Sequence, residues 1–272
     1  DGSNWRESVN APNPLYTLIK TTDTELNLSK TTVVSHKQNL DIRNGIHGRE
    51  TTFLLDGVNV TIKAERFASM VRENIIAMKY SVAADKPITI NVKTGIDKSV
   101  WNISGKHLNY IKEEMCRNSI ELNAETVQLK NKLRIYETVL NWSENKNTLG
   151  EKLLHSTQID LQPNKEFEFT KIAGIYHCEA IESSKSNFES AVDCGYEALK
   201  REHILAWENI WNNSDVVIDG DDEAQFALRY SIYHLCSIAP HNTDRCGIPA
   251  RGLSGQVYKG AAFWDTEMFM LP

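Results

Sequence analysis

A β-hairpin signal constrains the fold of this chain more than any other feature. The segment "TTFLLDGVNVTIKAERF" places the pair Asp56-Gly57 between two runs in which apolar and polar residues alternate. Alternation with a period of two is typical of a half-buried strand, and Asp-Gly is a strong signal for a two-residue hairpin turn. The segment therefore predicts an antiparallel hairpin. The apolar residues on either side of its turn are Phe53, Leu55, Val58, Val60 and Ile62.

Segments of the same kind follow along the chain. "NIIAMKYSVAA" and "ITINVKTG" alternate in the same way, and "ETVQLKNKLRIYETVL" does so through Val127, Leu129, Leu133 and Ile135. Turn residues separate these segments, with no long helix between them. Many strands without intervening helices are typical of an antiparallel β-sandwich. The pattern predicts a mainly β region from about residue 31 to about residue 169.

The pattern changes to a helical one after the strands. Residues 186–214 carry apolar side chains at helical spacing and predict one long amphipathic helix of the kind that joins two domains. Residues 222–239 predict a second helix, in which Asp222 and Gln225 form a capping box and Pro240 ends the helix. Apolar residues surround the axis of this second helix, so it must be covered on nearly every side.

Composition and charge exclude several classes of protein. The net charge of −6, without a cluster of basic and aromatic residues, argues against nucleic acid as a partner. We expect no membrane partner, because no apolar run reaches the roughly 18 residues of a membrane span. The five cysteines form no CxxC pair, and the eight histidines form no HxH or HxxxH pair. We therefore expect no disulfide framework and no metal, and a reducing cytoplasm is the simplest location.

The last segment of the chain carries the residues best suited to chemistry. A glycine-containing loop leads into "FWDTEMFML", where Trp264 and Asp265 stand at the predicted start of another buried helix. An aromatic ring stacks on the apolar face of a pyranose, and a carboxylate accepts hydrogen bonds from its hydroxyls, so this pair suits a sugar site. The alternative is that Trp264 is a core residue and Asp265 a helix cap. Asp265 and Glu267 lie two residues apart and point in different directions, so they are poorly placed to flank one glycosidic bond.

Two stretches of the chain together carry a family resemblance. An acidic "GDDEAQ" segment is followed by the loop "ARGLSGQVYKGAAFWDTE", and "LDIRNGIHGRETTFLLDGVNVTIKAERFAS" lies upstream. From about residue 40 to residue 272 the chain resembles glycoside hydrolase family 65, the disaccharide phosphorylases. In that family the loop has the form "GxxGLTGxxYxGxxFWDTE", so Ser254 replaces the usual Thr. The "GNGYxGxRG" element that begins the β-domain in the family is absent from this sequence.

The resemblance implies an architecture as well as a family. It is a mainly β N-terminal super-sandwich, followed by a linker helix and the first part of an (α/α)6 barrel. On this basis we expect residues 1–185 to form the β-sandwich domain, residues 186–214 the linker helix and residues 215–272 the beginning of the catalytic domain. The general acid and the phosphate-binding residues of the family lie after the "FWDTE" motif. We therefore expect them beyond Pro272 and expect this chain to be a piece of a larger enzyme.

The resemblance also implies an activity. Family phosphorylases break an α-glucosidic bond with inversion, using inorganic phosphate as co-substrate, and release β-glucose 1-phosphate and a second sugar. One protein carboxylic acid is sufficient, because phosphate replaces the water and base of an inverting hydrolase. Trp264 and Asp265 match the positions that hold the glucosyl unit beside the cleaved bond. The expected partners are a disaccharide and phosphate, without a cofactor, and a second copy of the chain, because family members often dimerise.

Two other interpretations remain open at this point. "YKGAAFWDTEMFML" is more similar to the kojibiose and nigerose branch of the family than to the maltose branch, but a family hydrolase, in which water attacks, has the same motif. A carbohydrate-binding module that does not turn its ligand over is the alternative from another class. Against the module stands the apolar surface of residues 222–239, which demands a covering partner.

Overall fold

The computed structural model describes most of the chain. The described residues are 8–103, 105–142, 146–241, 247–253, 258 and 260–264. They form twelve strands, two α-helices and two short 3-10 helices. The strands are β1 (Asn13–Lys20), β2 (Thr32–Asp41), β3 (Ile46–Leu55), β4 (Val58–Ala68), β5 (Ile75–Ala84), β6 (Ile88–Asp97), β7 (Leu108–Met115), β8 (Ser119–Thr126), β9 (Lys132–Leu140), β10 (Lys146–Thr148), β11 (Lys152–Leu161) and β12 (Glu166–His177).

The strands make two antiparallel sheets that pack face to face. The larger sheet has eight strands in the order β2-β3-β4-β5-β12-β9-β8-β7, and the smaller has four in the order β1-β6-β11-β10. Val82 and Phe169 of the larger sheet share one core cluster with Ile90 and Val92 of the smaller. All four side chains are fully buried. This sandwich confirms the mainly β architecture that the sequence predicts for the first part of the chain.

The helices follow the last strand. The 3-10 helix Cys178–Ile181 leads into α1 (Ser184–Ser214), which is followed by α2 (Asp222–Ile238) and the 3-10 helix Ala250–Leu253. Phe188, Ala191 and Leu199 of α1 pack against the face of the larger sheet that the smaller sheet leaves open. The predicted order of sandwich, linker helix and helical beginning is thus confirmed, whereas the domain boundaries at residues 185 and 214 stay predictions. None of the helices in the described ranges is long and apolar enough to cross a membrane.

The hairpin predicted from Asp56-Gly57 is confirmed. Strands β3 and β4 flank the two residues, and both residues have positive φ, 51° at Asp56 and 76° at Gly57. Two positive φ values are what a type I′ hairpin turn requires, and Asp and Gly adopt them at the lowest cost. Phe53 lies directly opposite Val60 across the hairpin, and both are buried in the sandwich core.

Three details of the strand prediction are wrong. The alternation through Val127 and Leu129 is not a strand, because β8 ends at Thr126 and the two side chains are 42% and 67% exposed in the turn before β9. Lys130 in this turn has a φ of 57°, a value outside the strand region. The strands also begin earlier than residue 31, since β1 starts at Asn13, and they continue past residue 169 to the end of β12. Pro14 obscured β1, yet β1 is an edge strand, where proline is tolerated.

The two helix predictions need smaller corrections. Helix α1 is not one continuous helix, because Gly195 has a φ of 72° and a ψ of 168°, so it divides the segment into two helical parts. The N-cap of α2 is Asp221 and not Asp222, since the Asp221 carboxylate accepts a hydrogen bond from the backbone N–H of Ala224. Gln225 instead bridges to the backbone of residues 216 and 218. No described side chain of α2 is buried, although apolar residues surround its axis.

A charged network lies in the middle of the sandwich. Lys171 of β12 and Glu137 of β9 are both fully buried, and the ammonium lies 3.3 Å from the carboxylate. The Lys171 ammonium also donates to the carbonyls of Tyr16 at 3.1 Å and Gly95 at 3.2 Å, which belong to the smaller sheet. Burial lowers the pKa of Lys171 and raises that of Glu137, and the partner's charge opposes each shift. His155 of the smaller sheet lies 3.8 Å from the Glu137 carboxylate, and burial followed by the Lys171 charge lowers the pKa of His155 to about 4.

Removing one partner of this network tests its energetic role. We expect Lys171→Met to lower the free energy of unfolding by roughly 3 to 5 kcal/mol, because it leaves a buried carboxylate uncompensated. The double variant Lys171→Met/Glu137→Leu removes that charge as well and is expected to be more stable than the single variant. The matched control is Lys79→Met in the same sheet, whose partly exposed ion pair with Glu168 contributes at most about 1 kcal/mol. Urea unfolding of the four proteins checks this, and equal losses for Lys171→Met and Lys79→Met would contradict it.

Candidate functional site

The candidate site lies in the loop after helix α2. The helix ends at Ile238, and the N–H of Ala239 bonds to the carbonyl of Leu235 as its C-cap. Pro240 follows and cannot continue the helix, because it has no N–H to donate. The predicted stop at Pro240 is therefore confirmed. The ring of His241 bonds to the Cys236 carbonyl, in the last turn of the helix, at 2.7 Å.

Backbone hydrogen bonds close this loop on itself. Ala250 donates to the carbonyl of Ala261 at 3.0 Å, and Ala261 donates to that of Tyr258 at 2.9 Å. Gly252 donates to the carbonyl of Pro249 at 2.9 Å. These bonds bring the two ends of the loop, at Ala250 and Ala261, together.

Gly252 fixes the loop to helix α2. It has a φ of 53°, and the preceding Arg251 has a φ of 61°, so both lie in the left-handed region. A Cβ added at Gly252 would lie 2.7 Å from the Cγ2 atom of Ile238, near the end of α2. Only a residue without a side chain fits this contact and this backbone conformation at once. Gly252 is therefore a structural requirement of the loop.

The described residues of the loop include three exposed aromatic side chains and an arginine. The Arg251 guanidinium lies 5.4 Å from the centre of the Tyr258 ring, and Tyr258 meets Phe263 edge to face at 5.5 Å between ring centres. Tyr258 and Phe263 are each 44% exposed, and Trp264 is 70% exposed. We call these four residues the aromatic loop surface.

This surface has the chemistry of a saccharide contact. Aromatic rings offer flat apolar faces that match the C–H face of a pyranose, and a guanidinium donates hydrogen bonds in a fixed fork to hydroxyl or phosphate oxygens. The cation over the Tyr258 ring holds that ring in place through a cation–π contact. The described residues thus provide the stacking and donor groups of a sugar site, but the described part of the loop contains no carboxylate.

The predicted site residues have different outcomes. Trp264 lies at the exposed end of the loop and is not part of a core formed by the described residues. Asp265 lies outside the described residues, as do Ser254, Glu267 and the predicted helix after Trp264, so the predictions about them stay predictions. Arg251 and Tyr258 belong to the site region but were missed as candidates. Two features of "ARGLSGQVYKG" could have identified them. One is the arginine between α2 and the glycines of the loop, and the other is the aromatic residue six positions after Gly252.

A polar groove on the larger sheet is lined by many charged side chains. It has a volume of ≈ 480 Å³, and its carboxylates and ammonium groups pair with one another. Lys79 pairs with Glu168 at 3.1 Å and with Glu197 at 3.4 Å. Burial opposes ionisation of Glu65, but hydrogen bonds from Lys200 and Tyr196 outweigh it and lower the pKa of that carboxyl. Its four carboxylates thus pair with lysine side chains of the groove itself.

The described ranges contain no set of side chains that could bind a metal ion. No group of three or more His, Cys, Asp or Glu side chains in those ranges could hold a metal ion. The cysteines Cys116, Cys194 and Cys236 are free thiols, and burial raises the pKa of Cys236. The chemistry of the candidate site therefore rests on the aromatic loop surface.

Comparison with known proteins places the chain in a family. The model of the glycosyl hydrolase family 65 N-terminal domain matches residues 3–210, and that of the family's central catalytic domain matches residues 229–272. The chain belongs to glycosyl hydrolase family 65. The sandwich and most of α1 thus fall in the first match, and most of α2 and the aromatic loop surface in the second. The predicted resemblance is confirmed.

Similar proteins of known name are phosphorylases. A nigerose phosphorylase from Lachnoclostridium phytofermentans is 37% identical over 99% of this chain and 40% of its own length. A 1,2-alpha-glucosylglycerol phosphorylase from Bacillus selenitireducens is 30% identical over 98% of the chain and 36% of its own length. A solved structure assigned as a kojibiose phosphorylase, from the human microbiome, superposes with a TM-score of 0.89 over 96% of this chain and 36% of that chain, at 24% identity. The chain therefore spans well under half the length of these relatives and has the fold of the solved structure.

The contact between Gly252 and Ile238 is open to a direct test. We expect Gly252→Ala to push the loop away from α2, because the new methyl group overlaps the Ile238 side chain and the left-handed backbone becomes strained. The control is Gly220→Ala, which has a φ of 85° but open space around it and so introduces only the backbone strain. Chymotrypsin cleavage after Tyr258 is the measurement, with cleavage at least about fivefold faster in Gly252→Ala than in the control. Equal cleavage rates would show that this contact does not hold the loop.

Proposed function

We propose that this chain is part of an enzyme that cleaves an α-linked glucose disaccharide, or a related α-glucoside, by inverting phosphorolysis. The products are β-glucose 1-phosphate and the second sugar or polyol. In this proposal the chain supplies the sandwich, the linker helix and the first part of the catalytic domain. The general acid and the phosphate-binding residues are expected after residue 272, so the 272-residue chain alone is expected to be inactive.

The observation that carries this proposal is the identity of the relatives. Two proteins that match 98% or more of the chain at 30% identity or above are a nigerose phosphorylase and a 1,2-alpha-glucosylglycerol phosphorylase. Both names denote transfer of a glucosyl group to phosphate, and the sugar or polyol that is released differs between the two enzymes. The shared chemistry supports phosphorolysis, and the difference between the acceptors leaves the second product to be identified by experiment.

The proposed reaction has one bond broken and one bond formed. An oxygen of inorganic phosphate attacks the anomeric carbon from the face opposite the leaving group, and the glycosidic C–O bond breaks. A protein carboxylic acid gives its proton to the leaving oxygen, so no second carboxylate is needed to activate a nucleophile. Attack from the opposite face converts the α-linkage into a β-phosphate. A hydrolase of the same family replaces phosphate with water and needs a base to activate it.

The aromatic loop surface has a specific role in this proposal. Trp264 stacks on the glucosyl unit beside the cleaved bond, and Asp265 accepts hydrogen bonds from its hydroxyls. Arg251 and Tyr258 lie on the same surface and offer a guanidinium and a further ring to the ligand.

A substrate panel tests the proposed reaction. The full-length protein is incubated with nigerose, kojibiose, maltose, trehalose and glucosylglycerol, with and without phosphate, and glucose 1-phosphate is detected with its anomeric configuration by NMR. We expect β-glucose 1-phosphate only when phosphate is present, and only from the full-length protein. Glucose released without phosphate would identify a hydrolase, and binding without turnover would identify a carbohydrate-binding module.

Substitutions in the aromatic loop surface test the proposed sugar contacts. We expect Trp264→Ala to raise KM for the disaccharide roughly 3- to 10-fold, since it removes a stacking contact. We expect Asp265→Ala to lower kcat/KM by roughly 10- to 100-fold, since it removes charge-assisted hydrogen bonds. The control is Trp101→Ala, because Trp101 is 69% exposed but lies between β6 and β7 on the sandwich. Near-normal kinetics in the Asp265 variant would remove that residue from the site.

A further inference from the structure

Polar contacts fix the linker helix α1 to the larger sheet. Arg72, in the connection between β4 and β5, forms a two-pronged ion pair with Glu202 of the helix at 3.0 and 3.2 Å. Glu65 of β4 accepts hydrogen bonds from both Tyr196 and Lys200 of the helix, each at 2.6 Å. Together with the apolar cluster under the helix, these bonds leave α1 little freedom to rotate or slide on the sheet.

The turn between β2 and β3 receives the second half of the same helix. His203 accepts a hydrogen bond from the N–H of Met70 on Nδ1 at 3.2 Å, so its Nε2–H donates to the carbonyl of Gly45, also at 3.2 Å. Burial lowers the pKa of His203, in agreement with a neutral ring in this position. About two helical turns further on, the indole N–H of Trp211 donates to the carbonyl of Arg43 at 2.9 Å. The turn thus binds the helix at two carbonyls.

The β2–β3 turn packs closely against α1 at Gly45. This residue has a φ of 64°, and a Cβ added there would lie 2.1 Å from Nε1 of Trp207. The Trp207 side chain is only 2% exposed. The Asp41 carboxylate holds the turn in shape, because it accepts hydrogen bonds from the backbone N–H groups of Arg43 and Asn44. Trp207 therefore has a fixed position that the sandwich determines.

Helix α2 attaches to this fixed indole. The ring of Tyr233 stacks on Trp207, with 4.9 Å between ring centres and 27° between planes. Burial, with a smaller effect of the Asp41 carboxylate, raises the pKa of Tyr233. A second tie crosses a cleft of ≈ 560 Å³, where Arg229 of α2 donates two hydrogen bonds to Asp215 at 2.8 and 2.6 Å. These two contacts, together with the hydrogen bonds of Gln225 to the backbone of residues 216 and 218, attach α2 to α1 and to the segment that follows it.

We propose that the β2–β3 turn and Trp207 are a positioning device for the catalytic domain, and that Tyr233 is the residue through which they act. The turn holds Trp207, Trp207 holds Tyr233 on α2, and the end of α2 holds the aromatic loop surface through Ile238 and Gly252. The sandwich thus sets the placement of the proposed sugar-contacting loop through the C-terminal half of α2, which contains both Tyr233 and Ile238. The effect on rate rests on the proposed function, whereas the mechanical link does not.

Two substitutions of one residue test this link. In the full-length protein, Tyr233→Leu removes the stacked ring, and Tyr233→Phe keeps the ring and removes only the hydroxyl. Hydrogen exchange is measured in α2, in the turn at residues 41–45 and in β12, the last of these as a check that the sandwich stays folded. We expect exchange at least about tenfold faster in α2 and in the turn for Tyr233→Leu, with β12 unchanged and Tyr233→Phe the same as the wild type.

The reciprocal change is made on the sandwich side. Gly45→Ala forces Trp207 away from the turn, and we expect faster exchange in α2 although the substituted residue belongs to the sandwich. No change in α2 for Gly45→Ala, and none in the turn for Tyr233→Leu, would overturn the proposed link.

A kinetic measurement separates positioning from mere attachment. We expect Tyr233→Leu to lower kcat/KM for phosphorolysis about tenfold or more, because a small displacement of the substrate-contacting loop is costly to the reaction, and Tyr233→Phe to restore it. Faster exchange in Tyr233→Leu at an unchanged rate would overturn the positioning role. If the wild type catalyses no phosphorolysis, the proposed function fails, and the exchange measurements still decide the link.

Discussion

Strand β12 is buried on both of its faces, and the rest of the structure depends on this double burial. Phe169 lies in the core between the two sheets, whereas Ile172 and Tyr176 contact helix α1 on the opposite face. Strands covered on both faces are nearly continuous in their burial, as β12 is from Phe169 to Tyr176 apart from one half-buried position. The same strand therefore joins the sheets and carries the linker helix. The position of the helix follows from the sandwich core and not only from the short connection before it.

The charged network around Lys171 occupies the centre of that double layer. The smaller sheet is irregular there, because the register of β1 shifts between Asn13 and Tyr16, and a Cβ at Gly95 would lie 1.9 Å from the Leu153 carbonyl. Where strand pairing is irregular, backbone carbonyls need hydrogen-bond donors other than the neighbouring strand. The Lys171 ammonium is such a donor for the carbonyls of Tyr16 and Gly95. A buried ion pair adds little net stability in comparison with an apolar core. Its effect here is geometric, since it specifies how the two sheets lie on each other.

Local features of the sequence predicted local structure well. The Asp-Gly pair at residues 56–57 identified the hairpin because the turn conformation depends on those two residues alone. Val127 misled the strand prediction, since alternation continued by chance into a turn, and Gly195 was treated as an ordinary helix residue although it breaks α1. The strand order and the burial of Lys171 arise from pairing between distant segments, which periodicity does not contain.

In the site, the sequence singled out Trp264 because an aromatic residue beside a carboxylate is a recognisable pattern. Arg251 was missed because its role depends on the fold of the loop.

The proposed path runs from the sandwich through α1 and α2 to the aromatic loop surface. Each contact along it is between groups that cannot adapt independently: a glycine carbonyl on a neutral histidine, an indole against a glycine without a side chain, and a second glycine against an isoleucine at the end of α2. Closely packed contacts transmit a displacement because interiors deform little. The last link is the one on α2, where the Tyr233 ring, the partly exposed ion pair of Arg229 with Asp215 and the hydrogen bonds of Gln225 attach the helix. On the proposed link, a displacement of the β2–β3 turn reaches the aromatic loop surface through Tyr233 and the end of α2.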